Sequence, residues 1–295
     1  RPLDFVALSD HAEYIGEMYS AIVADAPGHD QEQLEQLRNL SALEDRRAWF
    51  AKYVVENNRG ANPRHPPFFQ GFDTTKSAWN LMVEAAERHN DPGTFTTFIA
   101  YEYTSSEADR ENLHRNVFFR GTEVPEDPFS RLDSLNPEDL WSWMDRNRDG
   151  GIDAIAIPHN SNGSDGLMFE LVNWADEPID AAYAEQRMRN EPLVEVTQVK
   201  GTSDTHPLLS PNDEWADFEI MPYRVATTLH SEEKGSYVRQ AYLRGLQMEA
   251  DMGANPYKFG LIGSSDTHTG AGSFEEDNFF SKVGLLDATP VLRGS

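Results

Sequence analysis

Short apolar runs that end in histidine or carboxylate residues are the feature of this sequence that most constrains its fold. Four such runs, each with the length of a buried strand, occupy residues 5–8, 95–103, 152–157 and 259–262. At or just beyond their carboxyl ends lie Asp10, His11, Glu102, His159, Asp266 and His268. In a β/α barrel the carboxyl ends of the strands face one mouth, where active sites are built. We therefore expect these side chains to converge, together with His114, which begins a further apolar run at 117–120.

Helical patterns alternate with these runs and predict an α/β architecture. The best defined helix follows Asn136, a residue type favoured as an N-cap, with Pro137 in the first turn and Gly150 at the end. Another helix is expected over 78–89, capped by Thr75 or Ser77. We predict one domain over 1–295, with inserted segments near 25–75 and 161–191, the latter long, acidic and irregular.

Composition excludes several classes of protein. The chain has 25 Lys plus Arg against 50 Asp plus Glu, a formal charge of −25, so we expect neither nucleic acid nor an anionic membrane surface as a partner. No apolar stretch approaches the roughly 18 residues of a membrane span. The absence of Cys excludes disulfides and thiol nucleophiles, and leaves the compartment open between cytoplasm and periplasm or secretion.

Without Cys, His and carboxylate groups are the ligands available for a metal, and they suit Zn²⁺, Mn²⁺ or Fe²⁺. Two ions held by a bridging carboxylate would polarise a phosphoryl oxygen and lower the pKa of a bound water toward about 7. A serine hydrolase is the weaker alternative, because Gly263-Ser-Ser-Asp266 lacks the closing Gly of the Gly-x-Ser-x-Gly motif. The sequence also lacks a phosphate-binding Gly-x-x-x-x-Gly-Lys loop.

Five motifs resemble, in order and spacing, the successive metal-ligand motifs of the PHP (polymerase and histidinol phosphatase) superfamily. They are Leu8-Ser-Asp-His11, Ile99-Ala-Tyr-Glu102, Asn112-Leu-His-Arg-Asn-Val117, Ile157-Pro-His159 and Gly263-Ser-Ser-Asp-Thr-His268. Phrases such as Gln198-Val-Lys-Gly-Thr-Ser203 point more narrowly to a bacterial branch of metal-dependent hydrolases catalogued as a domain of unknown function. The resemblance covers residues 4 to about 287.

The resemblance implies a distorted β/α barrel with up to three metal ions and phosphoester hydrolysis. By position, Glu102 would bridge two ions, and His114 and His159 would complete the ligands of the second. His11 and His268 would serve the third ion, and Asp266 the first. The superfamily's opening His-x-His on the first strand has no counterpart here. We therefore expect the barrel to lack its first strand, and also a closing strand and helix after residue 287.

Five further residues are candidates for supporting roles. Arg115 and Lys200 are expected to contact a substrate anion, with a surface salt bridge as the alternative for each. Asn116 and Asn160 are expected to orient metal ligands as hydrogen-bond donors, and Asp10 to accept a hydrogen bond from a ligating imidazole.

The leading hypothesis is a metal-dependent hydrolase acting on a small phosphomonoester or phosphodiester. One alternative is a non-catalytic module, stabilised by metal, that recognises a partner through the 161–191 segment. Another keeps the metals but acts on sulfate esters or amides, because a metal hydroxide does not itself select the electrophile.

Overall fold

The computed structural model describes residues 3–58, 62–107 and 109–268. In this part of the chain the strands are β1 (Phe5–Leu8), β2 (Thr96–Tyr103), β3 (Arg115–Phe119), β4 (Ala154–Pro158), β5 (Leu193–Gln198), β6 (Gly201–Thr202) and β7 (Gly260–Gly263). The α-helices are α1 (Ile15–Ile22), α2 (Glu32–Asn39), α3 (Leu43–Phe50), α4 (Glu56–Asn58), α5 (Phe72–His89), α6 (Pro137–Asp149), α7 (Ala181–Asn190) and α8 (Val238–Met252). A π-helical segment, Ala51–Val55, joins α3 to α4.

The strands form two sheets of mixed direction. The first has the order β1-β2-β3-β4, with β1 parallel to β2 and β3 antiparallel to both of its neighbours. The second has the order β6-β5-β7, with β5 parallel to β7, and its central strand contacts β4. The α/β class is therefore confirmed. Between residues 3 and 268, the described strands form these two sheets and no closed barrel.

Helices α5 and α6 cover one face of the first sheet. Trp79 and Leu140 from these helices pack with Tyr101, Val117 and Ala156 from the strands in one buried core. Because successive side chains of a strand point to opposite faces, Glu102 and Asn116 lie on the other face of the same sheet. The polar residues of the candidate site are thus separated from the main apolar core by the sheet itself.

Helix α6 confirms its predicted boundaries, because Asn136 Oδ1 accepts a hydrogen bond from the Glu138 N–H at 2.9 Å. Helix α5 instead begins at Phe72, six residues before the expected start. Thr75 is buried against Gly16 of α1. A Cβ atom added at Gly16 would lie only 2.8 Å from the backbone nitrogen of Thr75. This close approach of the two helices requires glycine at position 16, and Thr75 lies within α5 and does not cap it.

The 161–191 segment was expected to be irregular throughout, and that expectation is wrong for its second half. Helix α7 occupies Ala181–Asn190, with the Asp180 carboxylate accepting a hydrogen bond from the Tyr183 N–H at 2.8 Å. Its buried face consists of Ala184, Arg187 and Asn190. Since two of these three residues are polar, the helix lacks the apolar periodicity by which it would be recognised.

No helix in the described ranges combines the length and the apolar character needed to cross a bilayer. The expected lack of a strand and helix after residue 287 concerns residues outside the described ranges. The single-domain organisation with inserted segments stays a prediction.

A buried ion cluster joins α7 to β3. Glu191 is fully buried, and its two carboxylate oxygens accept from Arg115 Nε at 2.8 Å and Arg187 Nε at 3.1 Å. Trp141 Nε1 also donates to this carboxylate, at 2.8 Å. Burial alone would raise the pKa of Glu191, but the two guanidinium groups outweigh it and lower the pKa below its usual range.

We predict that Glu191→Gln lowers the free energy of unfolding by roughly 3–5 kcal/mol, because it leaves two buried guanidinium groups without a counter-charge. The depressed pKa means that the wild-type contribution is present above the unfolded-state pKa of about 4.3 and is lost as pH falls through the folded-state value. Urea unfolding at neutral pH and below about pH 4 measures both effects. Glu185→Gln, on the exposed side of the same helix, should change stability by less than about 0.5 kcal/mol.

Candidate metal centre

The Glu102 carboxylate lies at the centre of a group of histidines. Its Oε1 atom is 2.8 Å from His114 Nδ1 and 3.2 Å from His159 Nε2, and its Oε2 atom is 3.1 Å from His11 Nδ1. Glu102, His114 and His159 are each at least nine-tenths buried. The His11 side chain is 42% exposed and forms the accessible side of the group.

The mixed sheet explains how these residues meet. Glu102 lies near the carboxyl end of β2, and His159 follows the carboxyl end of β4. Strand β3 runs antiparallel between them, so His114, which precedes its first residue, reaches the same edge. His11 follows β1 and forms a parallel bridge with Glu102. The predicted convergence of these four residues is confirmed, with one of them at a strand beginning.

Mutual electrostatics stabilise the charged carboxylate. Burial alone would raise the pKa of Glu102, but His11, His159 and His114 outweigh burial and hold it well below its usual range. Burial alone would lower the pKa of His159, yet the Glu102 carboxylate raises it to about 8. The centre therefore pairs a carboxylate anion with a histidine that binds a proton readily.

The donor set fits a divalent metal ion. One ligand atom from each of Glu102, His114 and His159 lies within 4.8 Å of the other two. Glu102 Oε1 lies within hydrogen-bond distance of one nitrogen of each ring, 2.8 Å for His114 and 3.2 Å for His159, so the three side chains are directed at one point. Imidazole and carboxylate ligands suit Zn²⁺, Mn²⁺ and Fe²⁺ alike. Three protein ligands with a free position are typical of a catalytic metal site.

Asp266 and His268 lie beside this cluster at the end of β7. The rings of His268 and His11 have centroids 5.5 Å apart. Asp266 Oδ2 accepts a hydrogen bond from Gln198 Nε2 at 2.6 Å and forms an ion pair with Lys200 Nζ. The side chain of Lys200 is only 12% exposed. Lys200 thus lies at the site, where its ammonium group neutralises a carboxylate expected to bind metal.

Two residues of the site have left-handed backbone conformations. Asn160, directly after His159, has φ 52°, and Asp266 has φ 47°. Asn and Asp tolerate this region better than other residues with a Cβ, and such conformations persist where the surrounding structure fixes them. The chain thus turns sharply at both places where a strand delivers a polar side chain to the site.

The predicted supporting residues have different outcomes. Asp10 is exposed, and its backbone carbonyl, rather than its carboxylate, accepts the Glu102 N–H at 2.9 Å. Asn116 pairs with Glu102 across β2 and β3, and its Oδ1 atom is buried without a hydrogen-bond partner in the described structure. Asn160 Nδ2 donates to Asn162 Oδ1 at 2.6 Å, so its amide stabilises the loop and not a ligand ring.

Arg115 does not reach the site. It is opposite Tyr103 in the sheet, on the helix-covered face, and its side chain is 3% exposed and paired with Glu191. Because side chains alternate along a strand, a residue adjacent to the ligand His114 points away from it. The expected contact with a substrate anion is therefore replaced by a buried structural ion pair.

Two residues of the site were not among the predicted ones. Asn112 Oδ1 accepts the backbone N–H of His114 at 3.0 Å, and its Nδ2 donates to Asn160 Oδ1 at 3.1 Å. Glu195 is 2% exposed, and its Oε1 accepts the Asn160 N–H at 3.3 Å. A carboxylate within the apolar run of β5 was the available signal for Glu195, since its neighbour Val194 belongs to a core.

Comparison with known proteins assigns the chain to one family. The chain matches, over residues 1–293, the family described as "Protein of unknown function (DUF3604)". The chain belongs to this family. No curated protein and no solved structure matches the chain. For this DUF3604 chain, therefore, functional inference depends on the chemistry of the site.

We predict that His159→Ala lowers the affinity of this DUF3604 chain for Zn²⁺ or Mn²⁺ by at least about 100-fold. The reason is that the change removes one of three ligand atoms, and residues that only orient ligands already cost roughly 10–100-fold. Titration against a chelating indicator measures the affinity. His206→Ala is the control, since His206 packs against Tyr237 and lies outside the cluster. Equal losses in the two variants would contradict the assignment.

We also predict that metal affinity falls as the pH is lowered through about 8. The Glu102 carboxylate raises the pKa of His159 to about 8, so below this pH a proton occupies the ring and must be displaced by the metal. Affinities measured calorimetrically from pH 8.5 to 6.5 should decrease steadily. An affinity that is constant over this range would show that no ligand in the centre takes up a proton.

Proposed function

We propose that this chain is a metal-dependent hydrolase of small phosphomonoesters or phosphodiesters. The observation that supports the proposal is the buried Glu102 carboxylate with imidazoles on both of its oxygens. The order and spacing of its motifs, which resemble those of the PHP superfamily, support the same reaction class. We also propose that the two sheets are parts of a barrel of the PHP type.

Each residue has a distinct role in this proposal. Glu102, His114 and His159 hold one ion, and the second carboxylate oxygen of Glu102 faces His11. His11, Asp266 and His268 provide donors for further ions, up to three in all, with Zn²⁺ or Mn²⁺ preferred and Fe²⁺ a third choice. When bound, such ions supply an activated water and polarise the phosphoryl oxygen.

The exposed rim of the site, formed by His11 and His268, is where a substrate would reach the metal ligands. The side chains of His11 and His268 are 42% and 30% exposed, whereas the ligands behind them are buried. Lys200 lies next to this rim and carries a positive charge in a protein of net charge −25. We infer that its ammonium group exchanges part of its contact with Asp266 for a phosphate oxygen of the substrate.

Two alternatives make different use of the same residues. A hydrolase of sulfate esters or amides would need no change in the cluster, because the metal ligands do not themselves select the electrophile. A non-catalytic binding module would hold its metal in the buried three-ligand set and leave the rim unused. Substrate profiling separates all three functions.

The proposal predicts that protein reloaded with Mn²⁺ or Zn²⁺ hydrolyses aryl phosphomonoesters or phosphodiesters, with sulfate esters and amides in the same panel. Glu102→Gln should reduce the rate by at least about 100-fold, because it weakens a ligand facing three imidazoles. Glu123→Gln, at an exposed position, should leave the rate unchanged. Normal metal binding without phosphoester hydrolysis would contradict the phosphoesterase and favour one of the alternatives, according to the rest of the panel.

A further inference from the structure

Glu195 is a buried carboxylate in the wall of the site whose role the proposed reaction does not explain. It lies on β5, is 2% exposed, and occupies the strand face opposite Val194, which packs in an apolar core with Val238 and Phe259. Strand β5 contacts β4 and pairs with β7, and the two oxygens of Glu195 accept hydrogen bonds from Asn160, after β4, and Ser264, after β7. Glu195 is therefore placed between the strand that delivers His159 and the strand that delivers Asp266.

The hydrogen bonds of Glu195 leave part of its acceptor capacity unused. Its Oε1 accepts the backbone N–H of Asn160, the residue after His159, at 3.3 Å. Its Oε2 accepts the hydroxyl of Ser264, two residues before Asp266. An ionised carboxylate has about four acceptor positions, so these two bonds do not saturate it.

The neighbouring His159 ring has a nitrogen in need of an acceptor. Its Nε2 atom faces Glu102 Oε1 at 3.2 Å, while its Nδ1 atom is buried without a hydrogen-bond partner in the described structure. A neutral imidazole that binds metal through Nε2 carries its proton on Nδ1. In metal sites this second N–H is almost always donated to a carboxylate, a carbonyl or a water molecule.

We propose that Glu195 is a positioning residue that accepts the Nδ1–H of His159 when Nε2 binds metal. The inference rests on the metal centre of the proposed function. Asp266 is a poorer candidate, because Gln198 and Lys200 hold its Oδ2 atom and the proposed function uses this carboxylate as a metal donor. Accepting this proton fixes the tautomer and the orientation of the ring.

Glu195→Gln tests the proposal in zinc-loaded protein labelled with ¹⁵N in its histidines. We expect zinc affinity to fall by roughly 10–100-fold. The Nδ1–H proton resonance of His159, identified by its contact with the Asn160 amide, should move upfield because a neutral amide is a weaker acceptor than a carboxylate. Glu191→Gln is the matched control. It changes an equally buried carboxylate on the helix-covered side, so it should reduce stability and leave this resonance and the zinc affinity of folded protein unchanged.

Ser264→Ala is the second variant, informative even where Glu195→Gln does not fold. It keeps the charge of Glu195 and removes one of its donors, so a smaller loss of zinc affinity and a smaller resonance shift are expected. Unchanged affinity and resonance in Glu195→Gln, or in Ser264→Ala where only that variant folds, would overturn the inference. Wild-type protein that binds zinc with the predicted resonance but hydrolyses nothing would contradict the proposed function alone. Wild-type protein that binds neither zinc nor manganese would overturn both.

Discussion

The buried carboxylate of Glu102 requires the surrounding structure to provide compensating positive charge or hydrogen bonds. An ionised carboxylate removed from water is very costly unless opposite charge or hydrogen bonds compensate it. Here imidazoles contact both of its oxygens and hold the pKa of Glu102 well below its usual range despite burial. Three separate chain segments must therefore deliver a histidine to one point. The antiparallel direction of β3 is part of this arrangement, because it places His114 at the edge where β2 and β4 end.

The buried carboxylates of Glu191 and Glu195 are compensated in two different ways. Both carboxylates are buried and lie four residues apart. Glu191 is neutralised by two guanidinium groups, which lower its pKa, whereas burial dominates at Glu195 and raises its pKa. The first solution joins α7 to β3 and provides stability. The second leaves a carboxylate with spare acceptor capacity beside a histidine of the centre, which is an arrangement suited to positioning a ligand.

Much of this arrangement could be predicted from the sequence, and the failures have physical causes. The apolar runs before Asp10 and His159 predicted strands, and their polar ends predicted the cluster, because strand ends meet at a sheet edge. Adjacent residues could not be assigned to a face without knowing the register, and Arg115 was therefore placed in the site although it points to the helices. Helix α7 was missed because its buried face is partly polar and is satisfied in part by partners about 20 to 45 residues away in sequence, such as Met168 for Arg187 and Asp145 for Asn190. Such long-range pairing leaves no local pattern.

The register of β3 also determines which cation the centre can accept. Arg115 and Asn116 are neighbours on opposite faces of this strand, with Arg115 paired to Glu191 and Asn116 opposite Glu102. A slip of one residue would exchange the two faces. It would bring a permanently charged guanidinium group against Glu102 and leave Glu191 buried without one of its partners. The carboxylate would then hold a fixed organic cation in place of an exchangeable ion. The Arg115–Glu191 ion pair on the helix-covered face of the sheet thus keeps the positive charge of Arg115 away from Glu102 on the other face.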